Sequence, residues 1–258
     1  MRWDLFAILM LLPWAATFGG SVLAARMQSG GPKRQGAMLG FAAGIMIAAS
    51  IWSLILPAFD NAGKTPVGAA VVSLGFLLGC LGMLLLDKLV PHQHMDEASP
   101  EGRPSHMSRP KLLVLAVALH NIPEGMAVGI LLAGFAAGGS GITFGSAMVL
   151  SVGIAVQNFP EGAIISMPLH AQGQGKGRSF LLGVLSGVVE PLAAALTVLA
   201  ASAILPILPY LLSFAAGAMI YVVVEELIPE MSAGTHSNLG TLSFAMGFTL
   251  MMALDVAL

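Results

Sequence analysis

Uncharged apolar runs of about 20 residues recur along the whole chain, separated by short stretches where charge, Gly and Pro collect. A run of that length is what an α-helix needs to cross about 30 Å of hydrocarbon. Eight such runs are drawn, at approximately 5–25, 36–59, 66–86, 112–134, 142–169, 179–201, 208–228 and 239–256. The first follows Arg2 like a secretion signal, but its 21 uncharged residues exceed the usual apolar region of about 7–15. It is read as a span.

Composition agrees with the pattern. Of 258 residues, 57% are hydrophobic and 9% charged, with a mean hydropathy of +0.88, against about 25% charged in an ordinary soluble domain. Collagen and intrinsic disorder are excluded by the same figures. The single thiol, Cys80, cannot form an intrachain disulfide. The net charge of −2 gives no reason to expect nucleic acid as a partner. The expected architecture is all-α integral membrane, one transmembrane domain over residues 1–258.

Charge distribution orients it. With eight spans, the connections after spans 1, 3, 5 and 7 share one side and carry nine Lys and Arg, whereas the other side carries only Arg2 and Lys64. The positive-inside rule then places both termini outside the cytoplasm. The long connection 90–110 becomes cytoplasmic; it is Pro-rich, carries His92, His94, Asp96, Glu97, Glu101 and His106, and reads as a solvated linker with the option of weak metal binding.

Ionisable residues inside spans are costly and point to function. Span 4 contains His120-Asn121-Ile122-Pro123-Glu124-Gly125, span 5 contains Gln157-Asn158-Phe159-Pro160-Glu161-Gly162, span 6 contains Glu190-Pro191, and span 7 contains Glu225-Glu226-Leu227-Ile228-Pro229-Glu230. The first two strings are one pattern, repeated 37 residues apart on an antiparallel hairpin, so the copies face opposite ways, as internal inverted repeats of transporters do. His120 and Glu124 are i,i+4, as are Gln157 and Glu161, so each pair shares a helical face. A proline inside each pair frees the Leu119 or Val156 carbonyl and predicts a kink.

No Lys or Arg lies between Lys111 and Lys176 or after Arg178, yet seven of the thirteen acids fall there. Either several carboxyls are protonated, or a cation sits among them. Imidazole, carboxylate and amide oxygen together suit a divalent transition metal such as Zn²⁺ or Fe²⁺ better than an alkali ion.

At these residues the chain resembles the ZIP family of divalent-metal transporters, in the prokaryotic branch with Gln in the fifth span. The resemblance covers essentially the whole chain: eight spans, a His-containing connection after span 3, paired Asn-x-Pro-Glu-Gly strings, Glu-Pro in span 6 and Glu-Leu-Ile-Pro-Glu in span 7. It implies a 3+2+3 inverted-repeat arrangement, a homodimer, and a centre that can hold two metals, made by His120, Asn121, Glu124, Gln157, Asn158, Glu161 and Glu190. Glu124 and Glu161 are the expected bridging carboxylates. Many members have His where this chain has Gln157, Asp where it has Asn158 and His where it has Glu225, so neutral amide oxygens make this centre harder and less nitrogen-rich.

Met46, Ser53 and Asp60 fall at seven-residue spacing in span 2, one stripe of a regular helix. By resemblance Asp60 captures the cation at the outer mouth, with Ser53 and Met46 leading inward. Glu225, Glu226 and Glu230 lie near the cytoplasmic end of span 7, placed for release. Small-residue faces such as Gly40, Gly44 and Ala48, or Gly183 and Gly187, fit fixed packing, a dimer seam or a sliding surface.

The expected activity is uptake across the plasma (inner) membrane by an alternating-access, elevator-like carrier, with Zn²⁺ foremost and Cd²⁺, Fe²⁺ and Mn²⁺ as other cargo. No residue is read as catalytic and no resident cofactor is expected. A divalent-cation channel with the same ligands is the alternative, though tight mixed His/Glu chemistry suits it poorly. An intramembrane metal hydrolase is a remote third, since the His-Glu-x-x-His zinc signature is missing.

Overall fold

The computed structural model describes residues 3–26, 31–93, 100–138, 141–171, 173–200, 205–233 and 238–257. Among them, eight helices are long and apolar enough to cross a membrane, and the chain is an all-α integral membrane protein. Helix α1 is Trp3–Arg26. Helix α2 joins an α-helical Gly31–Ala49, a π-helical Ser50–Ile55 and an α-helical Leu56–Ala62. Helix α3 is Pro66–Leu89, α4 is Arg109–Ala136 and α5 is Phe144–Ala171. Helix α6 consists of Lys176–Ser186 and Val189–Leu199. Helix α7 runs from a 3₁₀ turn, Leu205–Ile207, through Leu208–Val222, a π-helical Val223–Leu227 and Ile228–Ser232. Helix α8 is Asn238–Ala257.

Capping explains several boundaries. Thr65 caps α3 by accepting from the Gly68 N–H at 3.1 Å, with Pro66 in the first turn, where a missing N–H costs nothing. Thr143 and Ser146 exchange reciprocal side-chain to backbone bonds at the start of α5, 3.0 and 2.9 Å long.

The prolines act differently from helix to helix. Helices α4 and α5 continue through Pro123 and Pro160. Helix α6, drawn from sequence as one span, breaks at Gly187-Val188, where Pro191 cannot donate to the Gly187 carbonyl and Glu190 N–H bonds it instead at 3.1 Å. In α2 and α7 the π-helical turns end two residues before Pro57 and Pro229. A π turn bonds i to i+5, so it rotates the residues beyond it about the helix axis and breaks the regular stripe expected for Met46, Ser53 and Asp60.

The helices pack as two bundles. Helix α1 lies along α5, and the second half of α6 lies along α4, with α4, α5 and the first half of α6 also in mutual contact. Separately, α8 lies along α2, α3 lies along α7, and α2 meets α7. The seam between the bundles is mainly α2 against α5 and α4 against α7. Within the first bundle the helices touch backbone to backbone. A methyl group on Gly20 would strike the Phe159 carbonyl, and one on Gly162 the Thr17 carbonyl.

The small-residue faces therefore resolve into fixed packing. Gly40 and Gly44 meet the α8 backbone at Gly240 and Phe244, while Gly183 and Gly187 meet Ser21 and Thr17 of α1. Neither face lies on the seam.

Candidate metal centre

The repeated strings of α4 and α5 cross in the middle of the first bundle, and their polar side chains are buried there. Asn121 and Asn158 are fully inaccessible, Glu124, Gln157 and Glu190 nearly so. Burial of that many polar groups requires partners, and the amides supply them. Gln157 Nε2 donates to Glu124 Oε1 at 2.5 Å, Asn158 Nδ2 to Glu190 Oε2 at 2.7 Å, and Asn121 Nδ2 to the Ser186 carbonyl at 3.3 Å. Sequence alone assigns Gln157 and Asn158 as oxygen ligands; the structure turns their N–H ends to the carboxylates, because a buried carboxylate needs a donor. Their amides must rotate to offer oxygen.

Five oxygens have no hydrogen-bond donor among the described residues: Asn121 Oδ1, Glu124 Oε2, Gln157 Oε1, Asn158 Oδ1 and Glu190 Oε1. All are buried acceptors in one layer of α4, α5 and α6. A hard or borderline divalent cation is what such a donor set accommodates. Among the described residues, no three His, Cys, Asp or Glu side chains already stand close enough to hold one ion, so an ion placed here would need the carboxylates to draw together as the amides turn. Glu161 has His120, Glu226 and Asn121 as its electrostatic neighbours.

One contact of the centre crosses the seam. His120 Nε2 of α4 pairs with Glu226 Oε1 of α7, both sparsely exposed. From this pair a cavity of about 60 Å³ leads away, lined by Met46, His120, Glu124, Gln157, Glu161 and Glu226 and, further out, Glu230 and Gln93. That volume holds a few water molecules at about 10–15 Å³ each. Its outer wall comes from Leu39, Leu113, Ile164 and Leu227, all on the side of the α3–α4 connection. Toward the α4–α5 link, fully buried Ile130, Leu131, Leu150 and Ile154 fill the space.

The remaining sequence candidates separate. Ser53 is buried and donates to Asp255 Oδ1 of α8 at 2.6 Å. Asp60 is half-exposed at the far end of α2, 3.0 Å from Lys64 Nζ. Glu225 is exposed and off the cavity, whereas Glu226 and Glu230 line it. The α3–α4 connection is less solvated than its composition predicts. His92 and Gln93 are buried, and His92 pairs with Glu101 through backbone bonds of 3.3 and 2.9 Å. His94, Asp96 and Glu97 lie outside the described residues.

Two acids were not singled out by sequence. Asp87 of α3 is buried beside Tyr221 of α7, and Asp255 receives the Ser53 hydroxyl. Both stand near span ends, where an acid ordinarily reads as interfacial. Asp255 is one of the seven acids that the sequence leaves without Lys or Arg nearby, but that shortage alone gives it no role.

Several known proteins are similar to this chain along most of its length. The sequence profile described as ZIP Zinc transporter matches residues 91–255. Zinc transporter ZIPB of Bordetella bronchiseptica is 43% identical over 250 residues, covering 95% of this chain and 78% of that protein. Zinc transporter ZIP11 of Xenopus tropicalis is 35% identical over 326 residues, covering 96% and 95%. Zinc transporter GufA of Myxococcus xanthus is 34% identical over 230 residues, covering 88% of each chain. With a buried carboxylate and amide centre inside eight membrane-crossing helices and matches of this extent, the chain belongs to the ZIP zinc transporter family, whose members are metal-cation transporters and not enzymes.

Proposed function

We propose that this protein carries divalent transition-metal cations, Zn²⁺ foremost and Cd²⁺, Fe²⁺ and Mn²⁺ as alternatives, across the plasma membrane into the cytoplasm by alternating access. The carrying observation is that His120, Asn121, Glu124, Gln157, Asn158, Glu161 and Glu190 all sit on α4, α5 and α6 of one bundle, with Glu226 facing them from the other. A ligand set held by one body can move with its cargo against its neighbour. The cargo enters past Asp60, with Asp255 and Ser53 beneath it. It is held by Glu124 and Glu161 as bridging carboxylates, with Asn158 and Glu190 as ligands of a second ion once the hydrogen bond between them opens, and leaves past Glu226 and Glu230 toward Asp87 and the α3–α4 connection.

The cavity runs to the face that charge distribution assigns to the cytoplasm, which fits a carrier turned inward, with both termini outside. A negative interior favours entry by about 2.3 kcal/mol per charge per 100 mV. Matching packing of α1 on α5 and α6 on α4, α8 on α2 and α3 on α7, and matching π turns in α2 and α7, support the 3+2+3 inverted repeat. We assign the functional unit as a homodimer on family grounds. The apolar plug around Ile130 and Leu150 favours a carrier over an open channel.

The test is uptake of radiolabelled Zn²⁺ into proteoliposomes with the other metals as competitors. Saturable uptake that Glu124→Ala abolishes is expected. Metal binding without any wild-type uptake would overturn the assignment.

A further inference from the structure

The mouth carboxylate already has a cation of its own. Asp60 lies in the last turn of α2, and Lys64 Nζ sits 3.0 Å from its Oδ1. The backbone brings the two residues onto the same side of the chain. Gly63 ends the helix with φ of 81°, Thr65 N–H returns to the Gly63 carbonyl at 2.9 Å, and Thr65 caps α3. Lys64 is therefore carried on a short turn beside the carboxylate, which its side chain reaches. The other carboxylate oxygen faces the α4–α5 link, where the position of a methyl group on Gly141 would be 3.6 Å from Asp60 Oδ2. Lys64 is also the sole Lys or Arg between Arg34 and Lys88.

An exposed i,i+4 ion pair can be no more than a helix-end contact of small worth. At an entry carboxylate it has another consequence. Any arriving cation must displace a tethered ammonium whose local concentration the turn keeps high. Na⁺ or K⁺ brings the same single charge as that ammonium and no tether, so it competes poorly. A divalent metal brings twice the charge and inner-sphere bonds to oxygen, so it displaces Lys64 at a modest loss of apparent affinity.

We propose that Lys64 is a specificity-determining residue at the entrance, a built-in monovalent competitor for Asp60 that divalent cations displace and alkali ions do not. The proposal rests on Asp60 acting as the entry carboxylate. No other part of the mechanism depends on it.

The experiment measures Zn²⁺ uptake against Zn²⁺ concentration in proteoliposomes, at low salt and at about 150 mM NaCl, where exposed charges are screened within about 8 Å. Wild type is compared with Lys64→Met, Lys64→Arg, Asp60→Asn and the Asp60→Asn/Lys64→Met pair. Lys64→Met is expected to lower KM about two- to fivefold at low salt, the range that an exposed ion pair spans, with Vmax unchanged and a steeper rise of KM with Na⁺. Lys64→Arg keeps the wild-type profile. In the Asp60→Asn background, Lys64→Met leaves KM where it was.

A KM unmoved by Lys64→Met, with Asp60→Asn still impairing uptake, overturns the role of Lys64 and spares that of Asp60. A KM drop that persists without the carboxylate reduces Lys64 to a general repulsive charge and also overturns the proposal. An Asp60→Asn variant with wild-type kinetics removes the entry role of Asp60 itself, and the proposal with it.

Discussion

The glycine that closes the first Pro-Glu-Gly string is a test of how tightly the centre is built. Gly125 of α4 packs on the backbone of Glu190 in α6, so a methyl group there would stand 2.8 Å from the Glu190 Cα and 2.9 Å from its carbonyl carbon, and nearer still to its oxygen. Ordinary contacts of that kind begin at about 3.4 Å, so Gly125→Ala must part α4 from α6 by about 0.5–1 Å. Overpacking of this size costs about 1–3 kcal/mol, and replacing Gly by Ala inside a helix returns about 1 kcal/mol. The net loss, about 0–2 kcal/mol, lowers Tm by a few degrees in a chain of this size. The centre tolerates far less. Metal–ligand distances hold within about 0.2 Å, and the Asn158–Glu190 bond of 2.7 Å between α5 and α6 would lengthen to about 3.2–3.7 Å if α6 moved off α5 by as much, at or past the limit of a hydrogen bond. Zn²⁺ uptake should therefore fall at least about tenfold in a protein that still purifies and melts cooperatively. Gly177→Ala, with nothing within 4 Å of the added carbon, is the control and should transport normally. Uptake by Gly125→Ala within about twofold of wild type would refute the link between helix approach and ligand geometry.

Other substitutions address different parts of the structure. Gly20→Ala drives a methyl group into the Phe159 carbonyl and should lower the melting temperature in detergent by about 2–8 °C; an unchanged melt would show that α1 and α5 do not need their close contact. Ser53→Ala removes the hydroxyl that donates to Asp255 and should cost about 1–3 kcal/mol, a loss that Asp255→Asn in the same chain should largely restore; chemical denaturation of both variants measures it. Gln157→Leu takes the donor from Glu124 and an oxygen from the centre, so calorimetry should show Zn²⁺ binding weakened about 10- to 100-fold, with wild-type affinity as the refuting result.

Much of this was legible in the sequence because a membrane leaves few options. Apolar runs marked the eight helices to within a few residues, and acids without basic partners marked α4, α5 and α6 as the candidate centre, where the structure buries them together. What escaped depends on tertiary context. The break in α6 and the π turns of α2 and α7 arise where a proline frees a carbonyl, but the same chemistry leaves α4 and α5 continuous. Local sequence does not tell these cases apart. Gln157 and Asn158 were recognised as ligand-type residues, yet which end of an amide faces a carboxylate is set by its neighbours. Gly125 and Gly162 looked like mere parts of a motif until α6 and α1 were seen lying against them.

The route of the chain between its two bundles carries a mechanical consequence. It crosses from one to the other between α1 and α2, between α3 and α4, and between α6 and α7. The middle crossing, Leu89 to Arg109, is the longest of the three. The outer two are short straps, Arg26 to Gly31 and Leu199 to Leu205, which fully drawn out reach only about 18 and 22 Å at 3.6 Å per residue. They belong to opposite faces of the membrane, so in the alternating access proposed above they would limit how far the bundles part at either end to about half the thickness of the bilayer with its headgroups. Under that proposal, shortening either strap would restrict the travel without touching a single candidate ligand.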